Sequence, residues 1–286
     1  MNLLTPELKT RIVTAVVLAV VVIATLAAGS TALWALLVLV FCLAAAWECL
    51  RLIPNLSPVA KAVSWALIAA GLGFLAFALF AKDFATSGGL ISKAPTVLLV
   101  LASAFWLLVV PIQVRSHSIL IHSWWARLTV PLLICSAWFS AVVLQRSGTS
   151  LLLAVVTTTV VADVSAYFVG RTMGRVKLAP TISPGKTREG AIGGVVAASL
   201  WVALLAWTLG IATGSAELIL SALAGAFLGV FAVLGDLWES LLKRQGGVKD
   251  SSQLLPGHGG VLDRIDAQLA VLPLATLLLT LVKPLW

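Results

Sequence analysis

Residues 216–239 read AELILSALAGAFLGVFAVLGDLWE, and residues 240–266 read SLLKRQGGVKDSSQLLPGHGGVLDRID. The first stretch is apolar over a length that suits one bilayer crossing, since about 20 residues of helix span the hydrocarbon. The second holds four cations (Lys243, Arg244, Lys249, Arg264), three carboxylates (Asp250, Asp263, Asp266), His258 and five glycines. Only 10% of the 286 residues are charged, so this crowding stands well above background. Cations and glycine-exposed N–H groups suit phosphate oxygens, and carboxylates suit the Mg²⁺ that accompanies nucleotide phosphates. An apolar span running into such a loop points to phosphoryl or nucleotidyl chemistry at a membrane surface.

The rest of the chain agrees with the first half of that reading. It is 60% hydrophobic with a mean hydropathy of +1.09, whereas a soluble domain is about half apolar and about a quarter charged. The expected fold is all-α, a polytopic integral membrane protein with nine spans at 12–28, 31–47, 62–81, 94–114, 128–144, 150–169, 190–210, 216–239 and 267–283. Gly29-Ser30-Thr31 makes the first pair a tight antiparallel hairpin. The opening looks like a secretory leader, but a second apolar run follows it at once, so a retained N-terminus is expected. No internal repeat or low-complexity linker is visible. Cys42, Cys49 and Cys135 lie in or beside apolar runs without metal spacing and read as reduced packing residues.

Lys and Arg test the span count. Fifteen fall at the N-terminus and in the even-numbered loops, and four in the odd-numbered loops and at the C-terminus. The positive-inside rule therefore expects a cytoplasmic N-terminus and an external C-terminus. The same logic assigns the net charge of +8 and the pI near 9.9 to topology and anionic headgroups, with no nucleic acid as partner. Two charged, glycine-rich loops, 170–189 and 240–266, then share the cytoplasmic face. Residues 1–149 are expected to be a transmembrane scaffold or dimer contact, nearly silent about chemistry, and residues 150–286 the catalytic region.

Charges at membrane depth cost about 2.5–3.5 kcal/mol at a helix centre, so acids in the spans stand out. Asp163 falls inside the sixth span, and Asp236 and Glu239 close the eighth. Asp236, Glu239 and Ser240 share a helical face through i, i+3 and i+4 spacing. Each acid could instead be a helix-terminal group reaching for water, least easily the short Asp side chains. Asp263 and Asp266 share a face at the start of the ninth span, and with Asp236 across the bundle they form a candidate cation site.

In the other loop, Ser183-Pro-Gly-Lys-Thr-Arg-Glu-Gly190 resembles a P-loop superficially. Pro180 stands where the first glycine belongs, and no strand is expected before it. Gly185, Lys186 and Thr187 lead into a helix N-terminus, which favours an anion. Lys186 and Arg188 could equally be topology anchors. In the large loop the glycines, Gly259 and Gly260 among them, tip the balance towards close backbone approach, which topology does not require. His258 could contact phosphate or move a proton, and both remain open.

At these residues the chain resembles the phosphatidate cytidylyltransferase, or CDP-diacylglycerol synthase, family. That family's C-terminal pattern is Ser-x-x-Lys-Arg, four residues, Lys-Asp, then Pro-x-His-Gly-Gly-x-x-Asp-Arg-x-Asp, and Ser240 to Asp266 matches it without a gap. Gly-Asp-Leu-x-Glu-Ser recurs as Gly235 to Ser240, and Ser-Pro-x-Lys-Thr-x-Glu-Gly as Ser183 to Gly190. The similarity covers about 163–266; upstream the match is only in apolar helices. Arg188 stands where the family often has Trp, and Asp163-Val-Ser-Ala-Tyr167 where it often has Asp-Ser-Gly-Ala-Tyr.

The resemblance implies that CTP and phosphatidate give CDP-diacylglycerol and pyrophosphate, with Mg²⁺ and a second cation, in a homodimer of a bacterial inner membrane whose site faces the cytoplasm. It implies metal-holding roles for Asp236 and Asp263, with Glu239, Asp266 and Asp163 nearby. Lys186, Lys243, Arg244, Lys249 and Arg264 would neutralise phosphates, with Ser183, Thr187, Ser240, Gly259 and Gly260 lining the substrates and His258 in the catalytic set. Two alternatives share these features: a related membrane transferase acting on another lipid phosphate or lipid alcohol, and an organic-anion transporter. The absence of internal repeats speaks against the transporter.

Overall fold

A computed structural model describes residues 6–81, 91–118, 123–282 and 285. Among these residues nine helices are long and apolar enough to cross a membrane. They are α1 Pro6–Ala27, α2 Thr31–Leu52, α3 Pro58–Phe80, α4 Ile91–Ser116, α5 Ser123–Ser147, α6 Thr149–Met173, α7 Arg188–Thr208, α8 Ser215–Gln245 and α9 Leu262–Val282. Each expected span falls on one of them. The protein is an α-helical polytopic membrane protein.

Local signals start and stop the helices. Gly29, at φ +65°, turns the chain between α1 and α2; the Ser30 hydroxyl then accepts the Leu33 N–H at 3.3 Å. Ser57 does the same for Ala60 at 3.1 Å, with Pro58 pre-set for the first turn of α3. Within α4, residues Phe105–Val109 widen into a π turn that ends two residues before Pro111. Proline has no N–H to give the carbonyl four residues back, so the ladder slips by one there.

α5 is the axis of the bundle. Its span is 89% buried, against α2, α3 and α9, whereas that of α1 is 0% buried. Apolarity does not sort inside from outside in a membrane, because lipid tails are as apolar as leucine. Hydrogen bonds do: Trp34 Nε1 donates to Ala141 O at 3.0 Å, and Trp138 Nε1 to Ala35 O at 2.9 Å, lacing α2 to α5 in both directions. On the other side α6, α7, α8 and α9 pack in sequence. Trp238 of α8 joins α4 by donating to Gln113 Oε1 at 2.9 Å and by edge contacts with Phe105 and Trp106.

Two differences from expectation shape the site. The loop expected at 240–266 is shorter, because α8 continues to Gln245 on its buried Leu241 and Leu242, and α9 begins at Leu262. The 170–189 loop carries a hairpin the all-α expectation lacked, β1 Lys177–Ala179 antiparallel to β2 Ser183–Thr187, with Lys177 opposite Thr187. β2 runs straight into α7. Strands this short have no periodicity to reveal them in sequence.

Candidate active site

One face of α8 presents Asp236, Glu239, Ser240 and Lys243 one above another. Gly235 sets what that face meets. A Cβ there would stand 2.7 Å from the Asp266 carbonyl oxygen and 3.0 Å from Ala267 Cα, so α8 and α9 touch backbone to backbone. That approach carries Asp236 and Glu239 up to Asp266, and one carboxylate oxygen from each lies within 4.8 Å of the others. Glu239 does not reach for water, being 1% exposed. Its Oε2 takes Lys243 Nζ at 2.8 Å, and its Oε1 is buried with no hydrogen-bond partner among the described residues.

Lys243 is shared: its Nζ also lies 2.6 Å from Asp263 Oδ1. The other oxygen of Asp263 collects the Gly260 N–H at 2.8 Å and the Ser251 N–H at 3.0 Å. Asp263 thus stands outside the trio and fastens the lysine to the loop before α9. The two acids three residues apart in α9 both neighbour Glu239, but only Asp266 joins it and Asp236 in the trio, while Asp263 also takes Lys243 and the loop.

From the hairpin, Lys186 pairs with Asp236. A cavity of about 600 Å³ opens beside this pair, lined by Asp163, Tyr167, Arg171, Lys186, Thr187 and Asp236 among others. Acids and cations from α6, the hairpin and α8 therefore share one space. Thr187 is buried and caps α7 by accepting the Gly190 N–H at 3.1 Å. Ser183 lies opposite Ala179 in the hairpin, and Ser240 Oγ is 3.4 Å from Asp236 Oδ1.

The remaining predicted residues sit around this space without lining it. Arg244 Nε donates to Ile182 O at 3.1 Å, tying the end of α8 to the hairpin. Arg264 folds back on the His258 carbonyl through Nε at 3.1 Å and Nη2 at 2.6 Å. The His258 Nδ1 is buried with no partner among the described residues. Gly259, at φ +83°, forms a bridge with Leu255. Lys249 is exposed.

Sequence reasoning missed two features. Tyr167 and Arg171 line the cavity as a pair, Arg171 Nη1 donating to Tyr167 Oη at 2.7 Å; their i, i+4 spacing was the available signal. Glu48, in the half expected to be silent, is fully buried and bonded to Ser251, Ser252, Val261 and Leu262. It is one of three acids ahead of Asp163 and falls one residue past the expected span.

Known proteins are similar to this chain in sequence. The phosphatidate cytidylyltransferase of Pseudomonas aeruginosa is 41% identical over 188 residues, 63% of this chain and 68% of that one. Those of Haemophilus influenzae and Bacillus subtilis are 47% and 48% identical over 113 and 119 residues, spanning 39% and 43% of those proteins. The chain thus spans about two fifths of the length of the latter two. The cytidylyltransferase family matches residues 9–282. With that match running through both halves of the bundle, the chain belongs to the cytidylyltransferase family.

Proposed function

We propose that the protein joins CTP to phosphatidate, releasing pyrophosphate and leaving CDP-diacylglycerol in the membrane. The observation that carries this reading is the meeting of three carboxylates with Lys186 and Lys243 from separate stretches of chain, on helices long enough to span the bilayer. A lipid phosphate can reach such a site with its tails still among lipids. The names of the relatives supply the substrates.

Asp236, Glu239 and Asp266 fit a hard divalent cation: they offer only oxygen donors, and the orphaned Oε1 of Glu239 is a buried acceptor in need of a partner. Mg²⁺ bound there would neutralise charge on the transferring phosphate and its leaving group. The chain's own residues do the rest. Lys186 and Lys243 lower the repulsion between two polyanions, and the cavity holds them in line. An oxygen of the phosphatidate phosphate bonds to the α-phosphorus of CTP as the bond to pyrophosphate breaks. That oxygen is already anionic, so no strong base is needed.

The charge bias of the loops supports a cytoplasmic N-terminus, an external C-terminus and a site facing the cytoplasm. The bacterial relatives support an inner-membrane location. Residues 150–286 would then form the catalytic region and 1–149 its support, in the homodimer that the resemblance implies.

The test is release of pyrophosphate and of nucleoside diphosphate by the purified protein with CTP or ATP, against phosphatidate, an isoprenoid phosphate and diacylglycerol, since transfer to a lipid phosphate frees pyrophosphate and phosphorylation of a lipid alcohol frees nucleoside diphosphate. Pyrophosphate release with CTP and phosphatidate, dependent on Mg²⁺, is the expected result. Turnover only with another lipid would move the protein to a different branch of its family.

A further inference from the structure

We propose that Glu48 is a positioning residue for this reaction: from the N-terminal half it clamps the loop before α9, and through Ser251 it holds Asp263 against Lys243. The inference rests on the reading above for the reaction it serves, and on geometry for the clamp. Glu48 lies near the end of α2 and is 0% exposed. A buried carboxylate is costly unless donors surround it; Glu48 has three of its own, and the single Ser251 hydroxyl proton is shared between it and Asp263. Its Oε1 accepts the Val261 N–H at 3.0 Å and the Ser252 hydroxyl; its Oε2 accepts the Leu262 N–H at 2.6 Å and faces the Ser251 hydroxyl at 3.0 Å. Val261 and Leu262 are the residues at which α9 begins, so an acid from α2 terminates the free N–H groups of the helix that carries Asp263 and Asp266.

Ser251 is the link. Its hydroxyl lies 3.0 Å from Asp263 Oδ2 as well as from Glu48, and its N–H donates to the same Asp263 oxygen. The chain Glu48–Ser251–Asp263–Lys243 thus joins the first half of the protein to the α8 face beside the acidic trio. Gly260 completes it. A Cβ at 260 would collide with Ser251 Oγ and stand 2.5 Å from Glu48 Oε1, so only glycine lets the loop close over the carboxylate. The residue type is also constrained. Each Glu48 oxygen accepts one backbone N–H, and a glutamine amide has only one oxygen, so no orientation of Gln satisfies both.

Misplacement of a catalytic group by about 1 Å can cost about 100-fold in rate. The clamp touches no substrate, so its loss falls on turnover more than on binding. The experiment uses the full chain in phosphatidate-containing vesicles with CTP and Mg²⁺, and follows Glu48→Gln, Ser251→Ala and the double variant. Glu48→Gln is expected to lower kcat by about 30-fold and Ser251→Ala by about 10-fold, with KM for CTP within about threefold of wild type. The double variant should be no slower than Glu48→Gln alone, because both act through one chain of contacts. A role in stability alone would leave turnover per folded molecule unchanged. Losses that multiply in the double variant, or a Glu48→Gln kcat within twofold of wild type, would overturn the proposal. Where Glu48→Gln does not fold, Ser251→Ala decides it by the same twofold criterion.

Tryptic cleavage after Lys249, measured without substrates, separates this inference from the assigned reaction. Both variants should be cut several-fold faster than wild type, because the loop is released. Failure of the wild-type protein to turn over CTP and phosphatidate would sink the reaction, and unchanged cleavage would sink the clamp.

Discussion

Lys186, at the end of the hairpin, forms an ion pair with Asp236 on α8, and each side chain is 26% exposed. The pair sits on the wall of the cavity, so the cation is held where an anionic substrate would meet it. Replacing Lys186 by Met keeps the stem and removes the charge. The expected result is a rise of about tenfold or more in KM for CTP, as for loss of a charge-assisted contact to a phosphate, with the protein still folded in the membrane. An unchanged KM for both CTP and phosphatidate would assign Lys186 to topology alone.

The trio and Asp263 are expected to behave differently. Asp236→Asn, Glu239→Gln and Asp266→Asn each remove a donor from the candidate cation site. Each should cut kcat by about 100-fold or more and abolish Mn²⁺ binding measured by calorimetry. Asp263 holds Lys243 and the loop instead. Asp263→Asn should also lose activity, yet keep Mn²⁺ binding within about threefold. Loss of Mn²⁺ binding in Asp263→Asn would place it among the ligands.

Gly235 is where the site depends on backbone contact. A methyl group there meets main-chain atoms of Asp266 and Ala267, which no rotamer change can move aside. Gly235→Ala should therefore push α9 away from α8, at about 1–3 kcal/mol of stability as for other overpacked positions, and separate Asp266 from Asp236. Thermal unfolding in detergent and Mn²⁺ binding should both show the change. Full retention of Mn²⁺ affinity would mean that the two helices adjust without moving the carboxylates.

The spans were legible because lipid demands about 20 apolar residues per crossing, and each run of the chain announces one. The acidic face of α8 was legible too, since Asp236, Glu239 and Ser240 follow helical spacing. What could not be read is which acids meet. Asp263 and Asp266 look equivalent in sequence, but Gly235 draws Asp266 to the trio, while Gly260 and Ser251 draw Asp263 to Lys243. Glu48 was hidden for a similar reason. Its partners lie about two hundred residues away, and nothing local marks a carboxylate destined for full burial.

Arg188 opens α7 with its backbone N–H on the Val176 carbonyl at 2.8 Å, and its side chain is exposed. The bond to Val176 is made by main chain and survives any residue but proline. The helix start is already served by the Thr187 cap and by Glu189, whose carboxylate takes the Arg175 N–H at 3.0 Å. Tryptophan is well suited to the interface between headgroups and hydrocarbon, where its ring and N–H are both accommodated. Arg188→Trp should therefore keep kcat and KM for CTP within about twofold, since exposed positions seldom carry more. A large rise in KM for CTP would show instead that the guanidinium meets the nucleotide, and that Lys186 shares its task with the residue two places on.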